Sequence, residues 1–402
     1  MEINDKKRLL FSIILLLTVF SVIGSLLIIL SYSIPNELIE DNIRLSREIL
    51  EEENAYDGWT EVFTHGWAGT LDTTTDVRIF KDAVVKPGEG AVRAAFGTYS
   101  RMWNGYMVIF RPMLVLFSYA QIRFFLYAVI TILSWYICSL LHTRLGADIS
   151  FSYIIALTSV NIILVPFNLI MSIFIMVMSL FSIWILRYYK SSISLYRLFL
   201  VFMIFGMTDI YFDMLTAPLL IPCVPLLMIL LIDAAGNKET ETGKSLVKAA
   251  GCLISWGVGY GCFWLIKWIL STLVTGENVM ADALNTIFYR AGGEAEGQAG
   301  GPLYSIAKNL GALLPTHGEN LPGIIGVILV ILILMTVVII KKRPDMSRLK
   351  PYLPCFPVIL LPLAWYAVIC NHSVIHATMY SYRLLMIPVF GLLSVYFILI
   401  RD

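Results

Sequence analysis

The chain has 402 residues, of which 58% are hydrophobic and only 14% charged, with 29 Lys and Arg against 28 Asp and Glu for a net charge of +1. A soluble domain is about 45–50% apolar and about 25% charged, so a water-soluble protein is excluded, and the charge balance excludes a basic nucleic-acid binder. The six cysteines (Cys138, Cys223, Cys252, Cys262, Cys355, Cys370) all fall in or beside apolar runs, which excludes a disulfide-stapled exterior and a CxxC metal site.

A helix needs about 20 apolar residues to cross the hydrocarbon core. Ten segments are expected to do so, at roughly 9–32, 121–142, 150–165, 166–187, 196–212, 214–232, 249–274, 322–340, 352–370 and 384–400. The first follows Lys6-Lys7-Arg8 without a small-x-small cleavage site, and is expected to be a retained anchor. The third and fourth form one apolar stretch broken by Pro166 and Asn168, read as a tight turn. Basic residues near span ends set orientation. With the N-terminus inside, 16 Lys and Arg and eight acids lie on the inner side, net +8 against −7 for the remainder. The expectation is an all-α polytopic protein of the cell membrane forming one integral domain, 1–402, with both termini cytoplasmic. Its polar mass then lies outside, at 33–120, 275–321 and 371–383. The inner loops are too short for a nucleotide-binding domain, and no Walker loop is present, which excludes ATP-driven transport by this chain alone.

The first exterior loop opens with an acidic, periodic stretch at 37–53, expected to be an amphipathic helix. The segment from Gly69 to Arg78 follows, with Asp72 and Asp76 four apart. On a helix both carboxylates share a face, and Asp72 would also serve as an N-cap. Tyr99 to Tyr106, including Arg101, Trp103 and Tyr106, leads to Arg111-Pro112 within an apolar run (103–119) too short to cross. Arg123 then opens the second span. This reads as an interfacial or re-entrant element carrying cations at head-group depth, where arginine either binds phosphate or snorkels to lipid. Deeper in the membrane, Asp209 and Asp213 flank the outer end of the fifth span and Lys267 sits in the outer part of the seventh. Ionisable groups there face a cavity or a partner, so either a Lys–Asp pair or a substrate contact is expected. The last exterior loop holds His372 and His376, four apart, then Tyr380 and Arg383. Imidazoles at that spacing bind a metal or, with Arg383, a phosphate; no Glu follows in the HExxH arrangement of zinc proteases.

The acidic first-loop motif Leu71 to Asp76, the segments Tyr99–Tyr106 and Phe212–Pro218, and the stretch Asn371 through His376 to Arg383 resemble bacterial proteins of the GT-C class of integral-membrane glycosyltransferases. The resemblance implies transfer of a sugar from a polyprenyl-phosphate-linked donor to a saccharide, lipid or protein acceptor on the extracytoplasmic face. It implies a first-loop carboxylate as general base, Asp72 or, in reserve, Asp76, with a divalent cation as a possible cofactor. Arg101, Arg111, Arg123, His372, His376 and Arg383 are the expected donor-phosphate ligands. Trp103, Tyr106, Asp209, Asp213, Lys267 and Tyr380 are expected around the substrate. The chain lacks both an adjacent acidic pair after Asp72 and the soluble C-terminal domain many members bear. A lipid-linked saccharide flippase or secondary transporter is the main alternative, with Asp209, Asp213 and Lys267 as an ion path, and a non-catalytic assembly partner is the third.

Overall fold

The computed structural model describes residues 3–53, 60–61, 70–71, 73–236, 242–292, 301–314 and 320–401. In chain order the helices are α1 (Ile3–Tyr32), α2 (Glu40–Glu52), α3 (Thr73–Asp82), α4 (Ala91–Gly97), α5 (Met107–Leu116), α6 (Tyr119–Leu145), α7 (Ala147–Ser159), α8 (Leu169–Tyr188), α9 (Leu195–Phe212), α10 (Leu220–Gly236), α11 (Thr242–Thr275), α12 (Val279–Ala291), α13 (Gly301–Leu313), α14 (Leu321–Lys342), α15 (Cys355–Val368), α16 (Cys370–Ile375) and α17 (Met386–Ile400). A two-residue antiparallel pairing joins Thr60–Glu61 to Thr70–Leu71. The chain is a helical, polytopic membrane protein. Among the described residues seven helices are long and apolar enough to cross a membrane, within α1, α6, α8, α9, α11, α14 and Ser381–Ile400. An eighth is counted if Met346–Tyr352 and α15, bent by 65° at their junction, form one span.

Two of the ten expected spans are shorter apolar helices, α7 and α10. Thirteen residues rise only about 20 Å. The ends of both are tied to neighbouring helices. Asp148 in the first turn of α7 lies 3.6 Å from Arg401, just beyond α17. The Val160 carbonyl at the other end of α7 accepts from Arg383 Nε (3.2 Å) and the Tyr382 hydroxyl (3.0 Å), which precede α17. α10 begins eight residues after α9 stops. It ends with Asp233 accepting from Tyr189, just past α8, and from Lys248 near the start of α11 (2.7 Å).

Local chemistry sets the breaks. Ser118 and Gln121 form a capping box at the start of α6, which ends at Gly146 with φ +106°. After the break containing Pro166, Asn168 caps α8 by accepting the Met171 N–H at 2.8 Å. α8 and α10 form the centre of the bundle and are buried on nearly all sides, whereas α1 and α14 are peripheral, with rows of exposed leucine and isoleucine as lipid-facing helices require. α9 and α11 cross in close contact. A Cβ at Gly206 would strike the Trp256 main chain, and one at Gly259 would strike the Met203 main chain, so the two backbones touch where neither carries a side chain.

The amphipathic helix expected at 37–53 is α2, with Ile43, Ser46 and Leu50 on its buried face. The short apolar element expected at 103–119 is α5, which packs its buried residues Met107, Phe110, Arg111 and Leu114 against α1 and α2.

Candidate active site

One cavity of about 310 Å³ lies at the end of the bundle where α9 and α11 stop and α8 begins. Its walls come from the segments read as exterior: α3 contributes Thr74, Thr75 and Arg78; the turn after α4 contributes Tyr99 and Arg101; α12 contributes Thr286 and Arg290; the final loop contributes His372, His376 and Tyr380. Met214 to Thr216 and Trp264 close it from the α9–α11 side. Tyr99 (φ +45°) and Leu215 (φ +67°), both lining it, hold left-handed backbone conformations. A side chain with a Cβ adopts these at a cost of about 1–3 kcal/mol.

The cavity is strongly cationic. The Arg78 guanidinium stacks 3.7 Å over the Tyr99 ring, and its Nε donates to Asp82 at 3.2 Å. Arg101 Nη1 donates to both Asp282 oxygens (3.1 and 3.2 Å) and to Thr286 Oγ1 (2.6 Å). The Arg101 main-chain carbonyl accepts two indole N–H groups, from Trp264 at 2.7 Å and Trp268 at 3.0 Å, which fixes where this arginine starts. Arg290 Nη1 lies 3.2 Å from His376 Nε2. Since guanidinium only donates, His376 accepts there and its own proton belongs on Nδ1. No carboxylate among the described residues pairs with Arg290 or lines the cavity.

His372 is 4% exposed, and its ring centroid is 4.6 Å from that of His376. No hydrogen bond of normal geometry reaches either of its ring nitrogens. Burial holds this imidazole well below its usual range, His376 and Arg290 add repulsion, and the Leu215 backbone partly opposes them. Tyr380 ties the walls together: its hydroxyl shares a 2.8 Å bond with Thr75 and accepts from Asn168 Nδ2 at 3.1 Å.

Of the residues singled out from the sequence, Arg101, His372, His376 and Tyr380 meet here. Asp72 lies outside the described residues. Asp76 is fully buried on the inner face of α3, where its carboxylate accepts from the Tyr119 hydroxyl and from the Leu169 N–H (3.1 Å) at the start of α8. Arg123 pairs with Glu53 and also donates to Tyr119. Arg111 donates to the carbonyls of Ser31 (2.9 Å) and Ile34 at the end of α1, and Arg383 donates to Val160 at the end of α7. Lys267 donates to Ala95 (3.0 Å) in the last turn of α4 rather than pairing with an aspartate. Each of these three cations satisfies carbonyls that a helix C-terminus leaves without partners. Trp103 stacks on Phe263 at 4.4 Å and donates to its carbonyl, and Tyr106 donates to Asn104 at 3.0 Å; both are fully buried in the core. Asp209 accepts from Trp256 (2.9 Å), and Asp213 from the Thr216 N–H (2.7 Å) and Tyr260 (3.3 Å).

Sequence reading did not single out Arg78, Arg290, Tyr99 or Thr286. The signal for Arg290 was the 3.6-residue periodicity of 279–291, which places Ala283, Thr286, Ile287 and Arg290 on one face. Among the described residues no three His, Cys, Asp or Glu side chains cluster as a metal site would require. No protein-family model, curated protein or solved structure matches the chain.

Proposed function

We propose that the protein is a membrane glycosyltransferase that takes a sugar from a lipid-phosphate-linked donor at the extracytoplasmic face. The carrying observation is the convergence of Arg78, Arg101, Arg290, His372 and His376, from four separate segments, on one cavity at a single end of the bundle. Cations held there without a full complement of carboxylates are suited to a phosphate group. A volume of about 310 Å³ lies at the lower end of the roughly 300–1,000 Å³ of small-molecule sites, in keeping with a phosphate and one sugar ring. Tyr99 and Trp264 offer the ring an aromatic surface, and the apolar Met102, Met214 and Ile287 suit the start of a lipid chain. The topology that goes with this reading has ten passes, α7 and α10 included, with the cavity end outside, as the excess of Lys and Arg at the opposite end favours.

In the reaction the acceptor oxygen forms a bond to the sugar C1 as the C1–O bond to the donor phosphate breaks and its electron pair leaves with the phosphate. Arg101, Arg290 and the histidines stabilise that leaving dianion. Asp72, two positions before the cavity-lining Thr74, takes the acceptor proton. Asp76, held by Tyr119 and the start of α8, is assigned instead to positioning α3.

The test uses purified protein in nanodiscs with a polyprenyl-phosphate-linked sugar and a soluble acceptor. Asp72→Asn is expected to bind polyprenyl phosphate as the parent does and to lose about 10²–10⁴-fold in transfer rate. Retained transfer in both Asp72→Asn and Asp76→Asn would show that the first-loop carboxylates are structural and that this mechanism is wrong.

A further inference from the structure

His372 presents an imidazole that is 4% exposed, lines the cavity, and has no hydrogen-bond partner of normal geometry on either nitrogen. A buried polar group without a partner costs about 1–3 kcal/mol, and a wall made of such a group is relieved when a ligand supplies the missing bond. Three guanidiniums line the same cavity against two carboxylates, Asp82 on Arg78 and Asp282 on Arg101, and this excess of positive charge favours an anion.

We propose that His372 is a proton-carrying ligand of the tetrahedral oxyanion that this cavity receives, neutral before the anion enters and protonated once it is bound. The inference rests on the anion-binding reading of the cavity given above and adds the ionisation state in which the anion is held. The ligand chemistry is a phosphate group, borne by a lipid or free.

The charged and titratable groups facing the ring are His376 from the next turn, Arg290 from α12 and, across the cavity, Arg78, Tyr99, Arg101 and Tyr380. The loop after α9 contributes the Leu215 backbone, and α13, packed behind, meets this turn through the neutral Asn309, which donates to the Ser373 carbonyl at 3.0 Å. Arg78 and Arg101 are each paired with a carboxylate, Asp82 and Asp282, so among the described residues the uncompensated charge facing the ring is that of Arg290, and the buried imidazole stays neutral beside it. An anion placed among them reverses the sign of the local field. The proton comes from solvent to one ring nitrogen, and the resulting N–H donates to an anion oxygen, a charge-assisted bond. Because the imidazole is more basic in the bound state than in the free state, binding must strengthen as pH falls through the bound-state value and level off below the free-state value.

Sulfate is the appropriate probe, because its charge is constant across the range while phosphate itself titrates. With the full chain in detergent, sulfate affinity is expected to rise by up to about 10-fold per pH unit on lowering pH through the responsive window. His372→Gln flattens this dependence, while His142→Gln, at the opposite end of the bundle, leaves it unchanged. On the unsubstituted protein, sulfate-binding enthalpies in buffers of differing ionisation enthalpy should report close to one proton taken up per anion. Sulfate binding that is independent of pH and takes up no proton overturns this proposal while leaving the anion site standing. Absence of sulfate binding at every pH overturns both. A second arm compares hexadecyl phosphate with inorganic phosphate at fixed pH. This arm reads affinity alone, since both phosphates titrate: tighter hexadecyl phosphate identifies the source as lipid-borne, tighter inorganic phosphate as free, and binding of neither overturns the assignment of a phosphate group to the cavity.

Discussion

Replacing Asp76 separates a structural carboxylate from a catalytic one. Its side chain is completely buried, accepts the Leu169 N–H at 3.1 Å, and accepts the Tyr119 hydroxyl, which in turn takes a bond from Arg123. Asp76→Ala leaves the Leu169 donor buried without this acceptor, which costs about 1–3 kcal/mol, and removes a negative charge from the start of α8, worth up to about 2 kcal/mol when partly buried. Arg123 keeps Glu53, and the Tyr119 hydroxyl can turn to the Phe167 carbonyl at 3.4 Å, so those two groups add little. The expected loss is about 1–5 kcal/mol in all. Asp76→Asn keeps an acceptor oxygen for Leu169 but not the charge, and should lose about half as much. Equilibrium unfolding in mixed micelles, followed by tryptophan fluorescence, measures both. Sulfate affinity should fall only a few-fold, through slackening of the neighbouring Thr75–Tyr380 bond. An Asp76→Ala protein that unfolds at the parent's denaturant midpoint yet transfers no sugar would refute this reasoning and return Asp76 to the catalytic machinery.

Two further outcomes follow from the packing. Gly206→Ala and Gly259→Ala should each destabilise by about 1–3 kcal/mol or more, because the new methyl group meets main chain that cannot rotate away. Gly257→Ala on the same α11, with open space around it, should be neutral or stabilising by up to about 1 kcal/mol from helix propensity, and thermal denaturation in one detergent ranks the three. Arg111→Ala should destabilise by about 3 kcal/mol, as it strips the Ser31 and Ile34 carbonyls of a charged donor, and should leave sulfate affinity unchanged; Arg101→Ala should weaken sulfate binding at least 10-fold. Parallel binding and unfolding titrations distinguish the two arginines.

Seven of the expected spans were legible because hydrocarbon thickness imposes a length on apolar runs. The tight turn expected at Pro166 and Asn168 is instead a longer break, with α7 ending at Ser159 and a 3-10 turn at Ile162–Phe167 before α8. The reason is that Pro166 and the Asn168 cap mark where α8 begins and not where α7 ends. The cavity was legible in part. Arg101, His372 and His376 sit in loops whose flanking spans end on the same side, so proximity followed from topology. Arg111, Arg383 and Lys267 carry the same sequence signal, a cation beside an apolar run, yet they serve the ends of α1, α7 and α4. Arg144 and Arg348 do likewise for α8 and α17. In a membrane protein a helix C-terminus without water needs a donor as much as a substrate phosphate does. Which carbonyl lies near a given cation depends on three-dimensional packing that the linear pattern does not encode. Arg290 was passed over because 275–321 was read as one exterior segment and not divided into its helices.

The bare-backbone crossing of α9 and α11 also constrains what genetics can repair. An alanine at 206 or 259 collides with carbonyls, which are the same whatever residue supplies them, so no second-site change at a touching side chain restores the fit. Gly251 on α11 differs: the nearest atoms to a methyl group there belong to the Phe199 ring, a side chain, and trimming that ring should rescue it. A suppressor screen started from Gly251→Ala should therefore return changes at Phe199. The same screen started from Gly206→Ala should return reversion to glycine, leaving the crossing as a position where this chain's history has no alternative route.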